Sequence, residues 1–125
     1  MSISEIASAA SASVSPLLVL ASASPARRKL LEDSGVRFMV LVSSVDEDAV
    51  LEAASAHAAA AGEPPLSPAA TAQLLAEAKA GAVATELRAA GVSNVLVLGC
   101  DSVFEVCLII YFMVITSLAK GTHSC

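Results

Sequence analysis

Two serines and three cations fall within eight residues, Ser22-Ala23-Ser24-Pro25-Ala26-Arg27-Arg28-Lys29. Ser24-Pro25 is the cap-plus-proline opening of a helix. The cations therefore occupy the first turn, and the acids Glu32 and Asp33 the last. Each charge placed that way opposes the helix macrodipole by about 0.3–1 kcal/mol. A polyanion at the N-terminus reverses the sign. First-turn N–H groups, the hydroxyls of Ser22 and Ser24 and the guanidiniums of Arg27 and Arg28 can all bind phosphate oxygens, Arg bidentately. The residue types fit equally a solvated basic turn paired with surface acids, and both readings stay open at this point.

A second group is acidic. Asp46-Glu47-Asp48 ends the apolar segment 38–45, and Asp101 follows the apolar run 95–100. Ligands of open α/β sheets bind beyond the carboxyl ends of strands. Carboxylates meeting there can hold Mg²⁺ through oxygen ligands and waters, with the cation bridging substrate phosphates. Plain turn and capping acids are the better reading for Asp46 and Asp48; for Asp101 the two readings are level. Lys79, at the margin of an apolar helical stripe, either reaches into the same crevice or snorkels along the helix face. His57 and His123 lack partners at triad or metal spacing, and Cys100 reads as a packing residue, so none of the three is given a role.

The elements that must position these groups are legible as punctuation. Leu17 to Ala21, Phe38 to Val45 and Asn94 to Gly99 read as strands, the first and third buried on both faces. Between them lie a helix of about three turns from Pro25, stopped by Gly35, and a helix from Ala49 to Ala61, stopped by Gly62. A long helix follows from Pro68 to about Ala90, with Leu74, Leu75, Ala78 and Ala82 as its stripe and Gly91 after its end. Strands alternating with helices predict an α/β fold. Residues 1–15 are Ser/Ala-rich without Lys or Arg, and a disordered leader is expected. From Val106 to Ile115 the chain is unbroken apolar sequence, shorter than the roughly 20 residues of a spanning helix, so a buried strand or an exposed sticky end is expected.

Composition narrows the function. Seven Lys+Arg against 12 Asp+Glu give a net charge of −5, with pI about 4.8. No basic field gathers nucleic acid, and an aromatic content of 3% provides no stacking platform. Much of the 56% hydrophobic content is alanine, which does not make a membrane protein. Cys100, Cys107 and Cys125 form neither a disulfide framework nor a zinc spacing, which fits a reducing, cytoplasmic setting.

The string Leu18-Val19-Leu20-Ala21-Ser22-Ala23-Ser24-Pro25-Ala26-Arg27-Arg28-Lys29-Leu30-Leu31 resembles the signature opening of the Maf family of nucleoside triphosphate pyrophosphatases. Val42-Ser43-Ser44-Val45-Asp46-Glu47, Leu75-Ala76-Glu77-Ala78-Lys79-Ala80 and Val97-Leu98-Gly99-Cys100-Asp101-Ser102-Val103 follow in the family's order, so the resemblance covers residues 17 to about 106. It implies an elongated α/β fold of the Maf/inosine triphosphatase type. It also implies hydrolysis of a nucleoside triphosphate to the monophosphate and pyrophosphate with a divalent cation, Mg²⁺ or Mn²⁺. By position, Ser22 and Arg27, flanked by Ser24 and Arg28, match the phosphate loop. Glu47 and Asp101 match the acidic, metal-holding positions, Lys79 the catalytic helix lysine, and Asp101 also the acceptor of a water proton. Ala26 and Ser102 match positions where subfamilies differ and bear on the accepted base; Ala26 replaces the family's arginine or tryptophan.

After Val106 the family continues into a Gly-Lys-Pro block and further substrate contacts, none of which stands in residues 107–125. The expected organisation is therefore a leader (1–15), the N-terminal half of a Maf-like domain (16–106) and a divergent apolar tail. The site would be incomplete and turnover impaired, the alternative being an inactive nucleotide-binding or interaction isoform. Expected partners are a nucleoside triphosphate and a second Maf-like chain, full-length or in a homodimer, met through the apolar tail. Neither a nucleic acid polymer nor a membrane is expected.

Overall fold

The computed structural model describes residues 2–42, 44–105 and 108–118, with 102–105 and 108–118 as backbone. In chain order the elements are α1 (Ile3–Ala12), β1 (Leu17–Leu20), α2 (Pro25–Asp33), β2 (Phe38–Val40), α3 (Glu47–Ala60), α4 (Pro68–Ala89), β3 (Val95–Glu105) and β4 (Leu108–Leu118). One four-stranded sheet has the order β2-β1-β3-β4. β1 runs parallel to both β2 and β3, and β4 closes the other edge antiparallel to β3. The fold is α/β, as the alternation of elements predicts.

Strand alternation divides the core. Val19, Ala21, Val95 and Val97 face α1 and α4 and pack on Ile6, Ala10, Val83 and Leu87. Leu20, Val40, Leu98 and Cys100 form the opposite layer, flanked by Leu31 of α2. Both faces of the central strands are thus covered, which is why they read as continuous apolar runs.

Four expectations are corrected. The first residues are not a disordered leader but helix α1, opened by a reciprocal cap in which Ser2 accepts from the Glu5 N–H and Glu5 from the Ser2 N–H. Ile6, fully buried, anchors it, and burial of such a side chain contributes roughly 1.5–3 kcal/mol. The sequence signals for this helix are the Ser2–Glu5 capping box and the two isoleucines, Ile3 and Ile6, three residues apart. β2 ends at Val40 rather than Val45, leaving Val42 half-exposed and Asp46 free to cap α3 through the Ala49 N–H at 3.0 Å.

The buried stripe of α4 is Ala72, Leu75, Ala76, Ala80, Val83, Ala84 and Leu87, turned from the predicted one. Alanine on nearly every side of this helix leaves the periodicity almost uninformative, and Leu74 instead lines a groove with Ala54 and Ala58 of α3. β3 continues beyond Gly99 to Glu105 because β4 pairs with it along its whole length, from Val95↔Leu118 to Glu105↔Leu108. Residues 108–118 of the apolar tail are therefore an edge strand, and 119–125 lie outside the described residues. Among the described residues no helix is long and apolar enough to cross a membrane.

Asn94 opens β3 from a left-handed conformation (φ 64°) that Asn tolerates better than most residues. Its Nδ2 donates to the carbonyls of Ala10 and Ser13, both at 3.1 Å, tying the end of α1 to the α4–β3 turn.

Candidate active site

At the carboxyl end of β1, hydrogen-bonded to β3 through Ala21 N–H to Leu98 O (2.9 Å), the chain turns into α2. Ser22 is buried there. Its Oγ accepts from the Ser24 N–H at 3.2 Å and from Arg27 Nη1 at 3.5 Å. Ser24 caps the helix by accepting from the Arg27 N–H. The sequence left the basic turn with two readings, and the structure divides the residues between them. Arg27 folds inward over the turn, whereas Lys29 forms an exposed pair with Asp33 at 3.1 Å and Arg28 is exposed. Ala26 is also exposed on the first turn.

Just past the last β1–β3 pair, Leu20↔Leu98, three elements converge on β3. Lys79 of α4 points to this part of β3, where Nζ lies 3.2 Å from Asp101 Oδ1 and 3.5 Å from Glu47 Oε2 at the start of α3. The Lys79 and Asp101 side chains are only 15% and 14% exposed, so their attraction is less screened than that of a surface pair, while Glu47 is 48% exposed. Lys79 therefore reaches the crevice instead of snorkelling into solvent. Glu47 and Lys79 share a cavity of about 100 Å³ with Ser22 and Ala23, walled by Val42 and Val45. These two valines, placed by the sequence inside a strand, belong instead to the loop that closes the site.

Cys100 lies in the sheet layer beneath. Burial pushes its thiol above the ordinary value, against the opposing charges of Arg27 and Lys79. A thiol held neutral in this way is a packing residue and not a nucleophile. Of the predicted site residues, Ser22, Ser24, Arg27, Glu47, Lys79 and Asp101 are brought together; Arg28 and Ala26 stand outside the cluster, and the Ser102 side chain lies outside the described residues. Asp48 is exposed on the first turn of α3, and His57 lines the α3–α4 groove; His123 lies outside the described residues.

A divalent hard cation takes one or two carboxylates and completes its shell with water and phosphate oxygens. Glu47 and Asp101 supply two such carboxylates around a point already held by an ammonium. Among the described residues no three His, Cys, Asp or Glu side chains gather as a closed metal cage. Two carboxylates, Glu47 and Asp101, are what this cluster could offer such a cation.

The family profile described as Maf-like protein matches residues 17–123. The chain belongs to the Maf-like protein family. Relatives of this Maf-like chain carry the name nucleoside triphosphate pyrophosphatase. That of Synechococcus sp. (strain CC9605) is 46% identical over 88 residues, covering 70% of this chain and 41% of the relative. That of Mycolicibacterium paratuberculosis (strain ATCC BAA-968 / K-10) is 49% identical over 85 residues, covering 68% and 37%. That of Salinispora tropica is 47% identical over 88 residues, covering 70% and 33%. The match thus spans about a third to two fifths of the length of these curated relatives. The profile match extends into the tail that composition set apart.

Proposed function

We propose that this Maf-like chain binds a nucleoside triphosphate and hydrolyses it to the monophosphate and pyrophosphate. The observation that carries the reading is the meeting of Glu47, Lys79 and Asp101, from three separate elements, beside the Ser22–Arg27 turn. Arg27, the Ser22 hydroxyl and the first-turn N–H groups of α2 bind phosphate oxygens, where the helix dipole adds to the attraction. Asp101 accepts the proton of the attacking water, and Lys79 fixes the orientation of that carboxylate and offsets its charge. Glu47 and Asp101 would hold Mg²⁺, which would supply charge neutralisation to the triphosphate. Ala26 and Ser102 bear on the base. The reading places the chain in the cytoplasm, with nucleotides as its ligands.

Most phosphoryl-transfer catalysis is positioning and charge stabilisation. Each of these groups is therefore expected to contribute measurably to turnover. The test is pyrophosphate release from a panel of standard and modified nucleoside triphosphates with Mg²⁺, comparing the chain with Asp101→Asn and with a longer relative. Asp101-dependent release supports hydrolysis and names the base. Nucleotide binding without release, while the relative works in parallel, sinks the enzyme reading and leaves a nucleotide-binding isoform.

A further inference from the structure

Lys79 and Asp101 belong to different elements, and their contact depends on how closely α4 approaches β3. On β3, Val95, Val97, Gly99 and Asp101 alternate onto one face, and the first two pack against α4 residues Ala80, Val83, Ala84 and Leu87. At Gly99 there is no side chain, and a Cβ built there would overlap the Ala76 carbonyl oxygen and lie 2.8 Å from Ala80 Cβ and 3.1 Å from the Ala80 nitrogen. Two of those three atoms are helix backbone, which no rotamer change can move. Gly35, Gly62, Gly81 and Gly91 meet nothing within 4 Å, and unlike Gly35, Gly62 and Gly91 this glycine has no positive φ to serve. Close approach is what the position requires. Ala76 and Ala80 flank Lys79 in the chain, and Asp101 is the next residue on Gly99's face of the strand.

We propose that Gly99 is a positioning residue: the lack of a side chain there seats α4 on β3 and so holds Lys79 Nζ on the Asp101 carboxylate. A methyl group at this point must push away the turn of α4 that carries Lys79. In kinetic terms the proposal rests on the hydrolytic reading above; in structural terms it stands without it.

The test is a double-mutant cycle of Lys79→Met and Asp101→Asn, read by urea unfolding of the full chain, with and without Gly99→Ala. The coupling between lysine and aspartate is expected to be measurable with Gly99 present and mostly lost with Gly99→Ala. Ala80→Gly removes the 2.8 Å contact but leaves the overlap with the Ala76 carbonyl, so it is expected not to restore the coupling. If Gly99→Ala does not fold, Ala80→Val enlarges the same contact from the helix side and carries the same comparison. A stability loss that leaves the coupling intact is what packing alone would produce, and it overturns the proposal.

In the pyrophosphate assay Gly99→Ala is expected to lower kcat about tenfold or more, with KM within about threefold. A wild-type chain that releases no pyrophosphate removes the hydrolytic reading only, and the coupling measurement then decides the role of Gly99.

Discussion

Arg27 and Arg28 are adjacent in the chain and opposite in placement, one donating to buried Ser22 and the other exposed. A charge-assisted hydrogen bond contributes about 1.5–3 kcal/mol. Arg27→Ala is accordingly expected to weaken binding of tripolyphosphate about tenfold or more, and Arg28→Ala by less than about threefold. Titration calorimetry at fixed ionic strength checks the contrast, and equal losses would return Arg27 to the solvated basic turn. Cys100 makes a pH prediction at the same scale. Its thiol is raised by burial, so the neutral form is favoured by folding. The associated stability is full below the ordinary thiol value and is lost as pH rises through the raised one. Alkylation of Cys100 in the folded chain, followed by peptide mapping, should lag behind that of the urea-unfolded chain at every pH up to that range.

Among the elements, α1 is held at both ends by polar groups. At its start the Ser2 backbone N–H and hydroxyl hold the Glu5 carboxyl below its ordinary value. The cap is thus intact above the ordinary carboxylate value and is lost as pH falls through the lowered one. Protection of the Glu5 and Ile6 amides, taken relative to the intrinsic exchange rate, should fall across that interval, and Ser2→Ala, which removes the hydroxyl but keeps the backbone N–H, should weaken the pH dependence. At its end Asn94 bonds two carbonyls. Asn94→Gly keeps the left-handed backbone while removing the side chain that makes those bonds. A loss of about 1–3 kcal/mol in urea unfolding is expected from leaving buried acceptors unpaired. A change within about 0.5 kcal/mol would mean that water replaces the amide at no cost.

At the scale of the whole molecule the sheet is supported unevenly. β1 pairs with β3 only as far as Leu20↔Leu98, while Asp101 lies further on and pairs with Phe112 of β4. The backbone under Asp101 is therefore held by the antiparallel edge strand. Deleting residues 106–125 is expected to release it, with faster amide exchange from Gly99 to Glu105 and loss of Asp101-dependent turnover. Unchanged exchange in that segment would show that α4 alone fixes the strand end.

The sequence alone determined the local signals: apolar runs for buried strands, Ser-Pro openings for α2 and α4, glycines after helices, and a basic turn following a strand. These depend on propensity and capping over a few residues and are readable without the fold. It also identified Ser22, Arg27, Glu47, Lys79 and Asp101 as candidates. Only the tertiary structure decided that Arg27 and not Arg28 turns inward, that Glu47, Lys79 and Asp101 meet across 54 residues of chain, and that α1 is ordered. Those outcomes depend on pairing register and on the distance between α4 and β3. An alanine-rich helix, apolar on almost every side, does not encode that distance in its periodicity; the seat at Gly99 sets it.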